Sequence, residues 1–575
     1  MNSQRFLHRG HEHVFHFTLH GDVRLDRLRA GVPYKDKSNI ARRGHRQDRR
    51  CRGDTWFIPY ETVRGRAEKF DHPGTFPVAL PEQCILLHGR EGARVLDPFM
   101  GTGTTLLAAQ RLGCYGLGME LDPEYVAIAP PELPASSPTL KDPVALAAFN
   151  ALREARCDYC HAEQRDLPFY FRVPVAKTLM EKDRANGLRH FRVEPVLDAF
   201  EQGTVPTEEQ LSRIEEVITQ NRMPPNLYLM MHWHAHLSNA EREAVLKWVQ
   251  DTRRKNYNNT GAAEQFAAEP IRPVPESVEA NPAKWTLGRK LFFDKSLSGD
   301  NTLNCASCHG LDTGGVDNLV TATGIGGQKG PINTPTVYDA YFKMAQFWNA
   351  RATTLADQAA GPVMNPVEMG SHNWEEVANK LNANPEYAPL FKEAFGPDAK
   401  VDEKTITTAI GEFEKTLVTP NGAFDEYLKG KPDAISEQAK RGYERFKAIG
   451  CSGCHTGIGA GGRGMEIMGL EGDYFKDRGG KLTDADEGRY AVTHEADDMN
   501  RFVVPNLRNV ELTGPYFHDG SVKTLDEAVR KMARYQTPDQ NISDQDVADI
   551  VAFLKTLTGR YDGKLLTNSN PAAKQ

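Results

Sequence analysis

Cysteine is scarce in this chain, nine in 575 residues. That is too few for a disulfide-stapled scaffold, so what matters is where the nine sit. An excess of charge of one sign is lacking too. Lys and Arg number 70 against 77 Asp and Glu, a net of −7, which excludes a globally basic nucleic-acid binder and leaves room only for a local patch. No run of about 18 apolar residues occurs that could span a membrane, and the mean hydropathy is −0.54. The opening residues, MNSQRFLHRGHEHVFHFTLHGD, have neither the apolar stretch nor the small-residue cleavage site of a secretory signal. The length admits several domains, each with its own core.

Six of the nine cysteines fall into three copies of one pattern: Cys157, Cys160 and His161; Cys305, Cys308 and His309; Cys451, Cys454 and His455. One copy of Cys-x-x-Cys-His is compatible with half a zinc site or a redox dithiol. A zinc ribbon brings its second pair within roughly 12–20 residues. These three lie far apart and each carries its own histidine, the arrangement for covalent haem attachment, in which the thiols form thioethers and the imidazole ligates iron. Three c-type haems are therefore expected. Because haem is attached in this way outside the cytoplasm, a periplasmic location is expected. Cys51, Cys84 and Cys114 remain and read as reduced thiols.

Around the first and third patterns a helix-like run comes before and an amphipathic helix after. LSNAEREAVLKWVQ opens with Ser238 and has Glu241 three residues on, a capping box, and then places Val245, Leu246 and Val249 on one face. ISDQDVADIVAFLKTL repeats this from Ser543, with Val547, Ile550, Val551 and Leu554. Helix, haem pattern, loop and closing helix is the plan of a small cytochrome c domain.

The first quarter differs. In ARVLDPFMGTGTTLLAAQRLGCYGLGMELDPEYVAIA, Val95 and Leu96 end a strand that runs to Asp97, Gly101 and Gly103 permit a tight turn, and Thr104–Leu112 reads as a helix. Glu120 ends the next strand, placed for ribose hydroxyls. With HPGTFP (His72–Pro77) and RCRGDTWFIPYE upstream, residues 11–129 resemble the S-adenosylmethionine site of amino-methylating DNA methyltransferases. The catalytic Asp/Asn/Ser-Pro-Pro-Tyr/Phe tetrapeptide of that family does not occur. The resemblance therefore implies a truncated, vestigial cofactor half with Asp97, Gly101, Gly103 and Glu120 as its remnant site, and no methylation. Pro130-Pro131 and the Pro/Ser-rich residues to 139 read as a seam, expected to be a join between a methyltransferase tail and a cytochrome that has lost its own signal.

From about residue 270, the ordered segments GQKGPINTPTVYDAYF, AQFWNAR, LADQAAGPVMNPVEMG, VPNLRNVELTGPYFHDGSV and ADIVAFLKTLTG resemble bacterial dihaem cytochrome c peroxidases. Residues of about 140–255 resemble the extra haem-binding domain of trihaem members that take electrons from quinol. The resemblance implies reduction of H2O2, with His309 ligating the peroxidatic haem, Glu368 as acid–base catalyst, Gln358 orienting peroxide and Trp348 between two haems. It implies His455 and Met532 on the electron-transferring haem, where a thioether ligand raises the potential. It also implies a calcium site of Asn333 with the carbonyls of Thr513 and Pro515. Many relatives carry a blocking histidine three residues before the Gln of the Gln-Lys-Gly-Pro run. That position is Ile325 here, and no histidine lies between His309 and His372, so an open resting site is expected. For the first haem, His161 is joined by Met223, with His232 as the alternative.

The expected fold is mainly α: three cytochrome c-like haem domains preceded by a truncated α/β (Rossmann-like) fragment. The boundaries are 1–129 for the methyltransferase-like fragment, 130–139 for the seam, 140–255 for the first haem domain, 256–420 for the peroxidatic domain, 421–562 for the electron-transferring domain and 563–575 for a flexible tail. Expected partners are hydrogen peroxide and a quinol or small cytochrome or cupredoxin donor, with a homodimer as an option and no functional nucleic acid. Two other classes compete. A protein-oxidising MauG-like relative is disfavoured by Met532, where such enzymes carry tyrosine. A non-catalytic electron-transfer cytochrome is disfavoured by Gln358 and Glu368.

Overall fold

The structure, a computed structural model, describes residues 78–88, 94–97, 103–118, 142–163, 174–225, 228–229, 235–258 and 261–569. The chain divides into two units, residues 1–138 and 139–575, so the division falls within the Pro/Ser-rich seam. In the first unit, strand Arg94–Asp97 pairs in parallel with Tyr115–Gly118, in register Arg94 with Tyr115, and helix Thr104–Arg111 makes the crossover. Gly103 precedes that helix at φ 83°, a left-handed conformation that glycine adopts without penalty. Gly101 and Glu120 lie outside the described residues, as do His72–Pro77.

The second unit is mainly helical and holds a separate core around each Cys-x-x-Cys-His pattern. In the first, helix Pro143–Glu154 starts with proline at N1 behind an Asp142 cap that accepts from Val144 N at 2.9 Å. It buries Ala148, Phe149 and Leu152 against Val245, Trp248 and Val249 of helix Asn239–Tyr257. The Ser238/Glu241 capping box is formed. Ser543 likewise forms a capping box, with Asp546, and Val547, Ile550, Val551 and Leu554 are buried.

The second and third cores share one device. Helix Pro282–Phe292 crosses helix Glu403–Glu414 at Gly288, where a Cβ would collide with the carbonyl of Ala409. Helix Glu437–Ala448 crosses helix Asp544–Lys555 at Gly442, where a Cβ would collide with the carbonyl of Asp549. Glycine lets the two backbones touch at each crossing.

The tail expected to be flexible from residue 563 is ordered as far as 569. Lys564–Leu565 pairs with Arg560–Tyr561, Leu566 is buried against the core that holds Phe292 and Phe413, and Ser569 donates to Asp312. Burial of one leucine and a two-residue hairpin outweigh the polar composition of the segment.

Candidate active site

The three patterns fold alike. Each is a single helical turn in which the histidine N–H donates to the carbonyl of the first cysteine, at 3.0 Å for His161, 2.9 Å for His309 and 2.9 Å for His455. Spacings of three and four residues on one turn put both thiols and the imidazole on one face. All six thiols are unpaired by disulfides. Each ring then uses Nδ1 on a backbone carbonyl: Phe191 O at 2.9 Å from His161, Gly315 O at 3.2 Å from His309 and Ala460 O at 3.1 Å from His455. A carbonyl accepts only, so Nδ1 carries the proton and the Nε2 lone pair is left for a metal. Burial lowers the pKa of all three rings, that of His455 to about 4, holding them in the neutral form that ligates iron. These are the requirements of a c-type haem with one protein histidine on the iron, and the residues fit it at each pattern.

Two cavities adjoin the second and third patterns. The first is lined by Cys305, Cys308 and His309 and also by Gln358, Glu368 and Trp348. The second is lined by Cys451, Cys454, His455 and Met532, and again by Trp348. Asn333 borders both, and its carbonyl accepts from Trp348 Nε1 at 3.0 Å. Asn333, Thr513 and Pro515 all line the second cavity. The carbonyls of Thr513 and Pro515 accept no hydrogen bond from the described residues, while those of Leu512 and Gly514 beside them take Asn318 Nδ2 at 2.9 and 3.1 Å.

Glu368 stands on a turn after helix Leu355–Met364, in which Glu368 N donates to Asn365 O at 3.0 Å. Asn365 Nδ2 donates to its Oε1 at 2.7 Å. Burial raises its carboxyl above the ordinary range, with the Arg351 charge and the Asn365 bond pulling the other way. Gln358 is on the same helix, a side of which faces the cavity.

Sequence reasoning missed the support around this pair. Arg351 lies 3.3 Å from the ring centroid of Phe347, and both line the first cavity. Both stand within AQFWNAR, so the signal was present without its geometry. Glu414, also on this cavity, is buried, and burial pushes its carboxyl up to about 8. Its helix position gave no hint of this. Met223 is half-buried just beyond helix Glu208–Thr219, and His232 lies outside the described residues.

Comparison with known proteins agrees with this geometry. The family model described as di-haem cytochrome c peroxidase matches residues 282–433, haem-binding domain 125–251, cytochrome c 439–558 and DNA methylase 1–130. The cytochrome c peroxidase Ccp of Escherichia coli K12 is 44% identical over 410 residues, 71% of this chain and 87% of that protein. Cytochrome c551 peroxidase of Nitrosomonas europaea is 45% identical over 294 residues, covering 51% of this chain and 85% of that one. The methylamine utilization protein MauG of Methylorubrum extorquens is 33% identical over 296 residues, 50% of this chain and 81% of that one.

Proposed function

From the premise that the chain belongs to the di-haem cytochrome c peroxidase family and is a haem-dependent oxidoreductase of the peroxidase type, we propose that it reduces hydrogen peroxide to water in the cavity of His309, Gln358 and Glu368. The observation that carries this is the meeting of Gln358 and Glu368 with His309 and its two attachment cysteines in one cavity. A c-type haem bound there supplies a redox-active iron that passes single electrons. Glu368 takes a proton from one peroxide oxygen and returns it to the other as the O–O bond opens; two electrons and two more protons complete two waters. Oε1 is held by Asn365, so Oε2 is the atom that carries the proton. Gln358 orients peroxide through its amide, which both donates and accepts.

His455 and Met532 would hold the electron-transferring haem, and Trp348 borders both cavities on the route between the two sites. His161 with Met223, or with His232, would hold the first haem, making three. Asn333 and the free carbonyls of Thr513 and Pro515 would bind calcium, a hard cation suited to oxygen ligands. The donor is a quinol or a small redox protein, and the location is periplasmic. Among the described residues no helix is long and apolar enough to cross a membrane. Asp97, Gly101, Gly103 and Glu120 are a vestigial S-adenosylmethionine site.

The test is consumption of peroxide by the purified holoprotein with a reduced dye donor. Two electrons per peroxide, lost in Glu368→Gln, support the reading. Oxidation of the donor by other acceptors with peroxide untouched marks a plain electron carrier. A second reading, oxidation of a protein side chain, is favoured by the likeness to MauG. Met532 on the second cavity, in place of the tyrosine expected for that chemistry, weighs against it.

A further inference from the structure

The two cavities share a wall made of Asn333, Thr334, Pro335, Thr336, Lys343 and Trp348. Most side-chain donors on that wall are already used within the protein. Asn333 Nδ2 donates to the carbonyls of Leu319 and Val320 at 2.9 and 3.3 Å. Thr334 Oγ1 donates to Asp317 at 3.1 Å, Thr336 Oγ1 to Gly314 O at 2.8 Å and Trp348 Nε1 to Asn333 O at 3.0 Å. Proline has no donor. Lys343 differs from all of these. Among the described residues its ammonium makes no hydrogen bond and no ion pair.

The loop beyond the third attachment pattern holds this lysine in place. Met344 N donates to Gly462 O at 2.7 Å. Gly462, at φ 78°, leaves no room for a side chain: a Cβ would stand 2.9 Å from Lys343 Cγ and 3.2 Å from its Cα. The stem therefore lies against a bare α-carbon. Its charge reaches the His309 ring, where it adds to burial in lowering that pKa. Burial pushes the ammonium itself down to about 8, with the Asp339 charge pulling the other way. Asp339 is fully buried and already accepts from Thr419 N at 3.0 Å, from Thr419 Oγ1 and from Asn509 Nδ2 at 3.3 Å. Lys429 and Lys447, also partly buried, each have a carboxylate, Glu276 at 3.0 Å and Glu269 at 3.2 Å. A desolvated ammonium is costly until an anion joins it, and the protein supplies none to Lys343.

We infer that Lys343 is the counter-cation for haem propionates, holding carboxylate groups of the haems of both cavities at their shared wall. An ammonium has three N–H donors, enough for a carboxylate from each side. A fixed positive charge there offsets the electron that each haem takes up, and so favours both reduced forms. Lys343 thus seats the two haems and sets the level of both potentials. This goes beyond the peroxidase reading. It rests on the proposed haems of His309 and His455, and not on what finally accepts the electrons.

The test is a spectroelectrochemical titration of the full-length holoprotein at neutral pH, with each haem followed by its own spectrum. Lys343→Met keeps the stem and removes the charge. It should weaken reduction of both haems at least tenfold, a fall of about 59 mV in each one-electron potential. The propionate bending bands in the resonance Raman spectrum should shift with it. Lys343→Arg should keep both potentials near those of the wild type. If Lys343→Met does not accumulate folded, Lys343→Gln carries the same comparison. A fall at one haem alone overturns the shared clamp, and unmoved potentials at both overturn any propionate role. A fall in both that arginine does not prevent marks a packing effect and overturns it too. Haem content of the wild type tests the premise separately. A chain without haem at His309 or His455 fails that earlier assignment, whereas unmoved potentials at full haem content fail the clamp alone.

Discussion

The backbone N–H of Ile325 donates to the carbonyl of Glu368 at 2.7 Å. The side chain of Ile325 fills the space left by Gly370, at φ 66°, where an added Cβ would stand 3.0 Å from Ile325 Cδ1. The loop that in the resembling family carries a blocking histidine is here tied to the backbone of Glu368, the proposed acid–base residue, and offers an alkyl group, which cannot ligate iron.

The oxidised enzyme is expected to react with peroxide at once, with a high-spin ferric signal from the haem held by His309. Ile325→His should give a low-spin resting signal and a lag before turnover that pre-reduction removes. The ferric absorption spectrum of the two proteins checks this. A wild type that is low-spin throughout and ignores peroxide until reduced contradicts it.

Replacing Glu368 by glutamine should slow peroxide cleavage by roughly 10²–10⁴, the usual range for a positioned acid–base group, with haem content unchanged. Burial raises this carboxyl above the ordinary range, so its proton-accepting form is lost as pH falls through that raised value. The wild-type rate should decline on the acid side at a pH above that of a free glutamate. The limb should vanish in the glutamine variant, as a pH–rate profile of each will show.

Alanine at Gly288 or Gly442 should each cost about 1–3 kcal/mol, the usual penalty of overpacking, because the added methyl meets a carbonyl of the crossing helix. Denaturant unfolding of the holoproteins measures it. Alanine at Gly396, where a Cβ meets nothing within 4 Å, is a control for backbone strain, since its φ of 97° is unfavourable for alanine without any collision. A loss at Gly288 no larger than the ordinary glycine-to-alanine change would remove the close-crossing account.

Residues 1–129 are expected to transfer no methyl group, because the chain lacks the catalytic tetrapeptide that acts beside such a cofactor site. Incubation with labelled S-adenosylmethionine and DNA, against a Gly101/Gly103 double variant, should give equal background counts. Incorporation above that variant would restore an activity to the segment.

What could be read from the sequence is short-range. A thiol, a thiol and an imidazole three and four residues apart share a face as soon as one helical turn forms, whatever surrounds them. The capping boxes at Ser238 and Ser543 likewise close within three residues. So the attachment turns and their flanking helices were legible, and the resemblance singled out Gln358 and Glu368, which line one cavity with His309. Only the tertiary structure decided the rest. Arg351 and Phe347 stack beside Glu368, Glu414 is buried on the same cavity, and residues 563–569 fold back onto the second core. Ser212 meets Thr456 across 244 residues of sequence. Such contacts leave no periodicity and no spacing to read. The stripe Glu208, Ser212 and Glu216 has the composition of a solvated helix face, yet in the fold Ser212 meets Thr456, Glu208 pairs with Arg272 and the Glu216 carboxylate lies against Gly450 and Gly453.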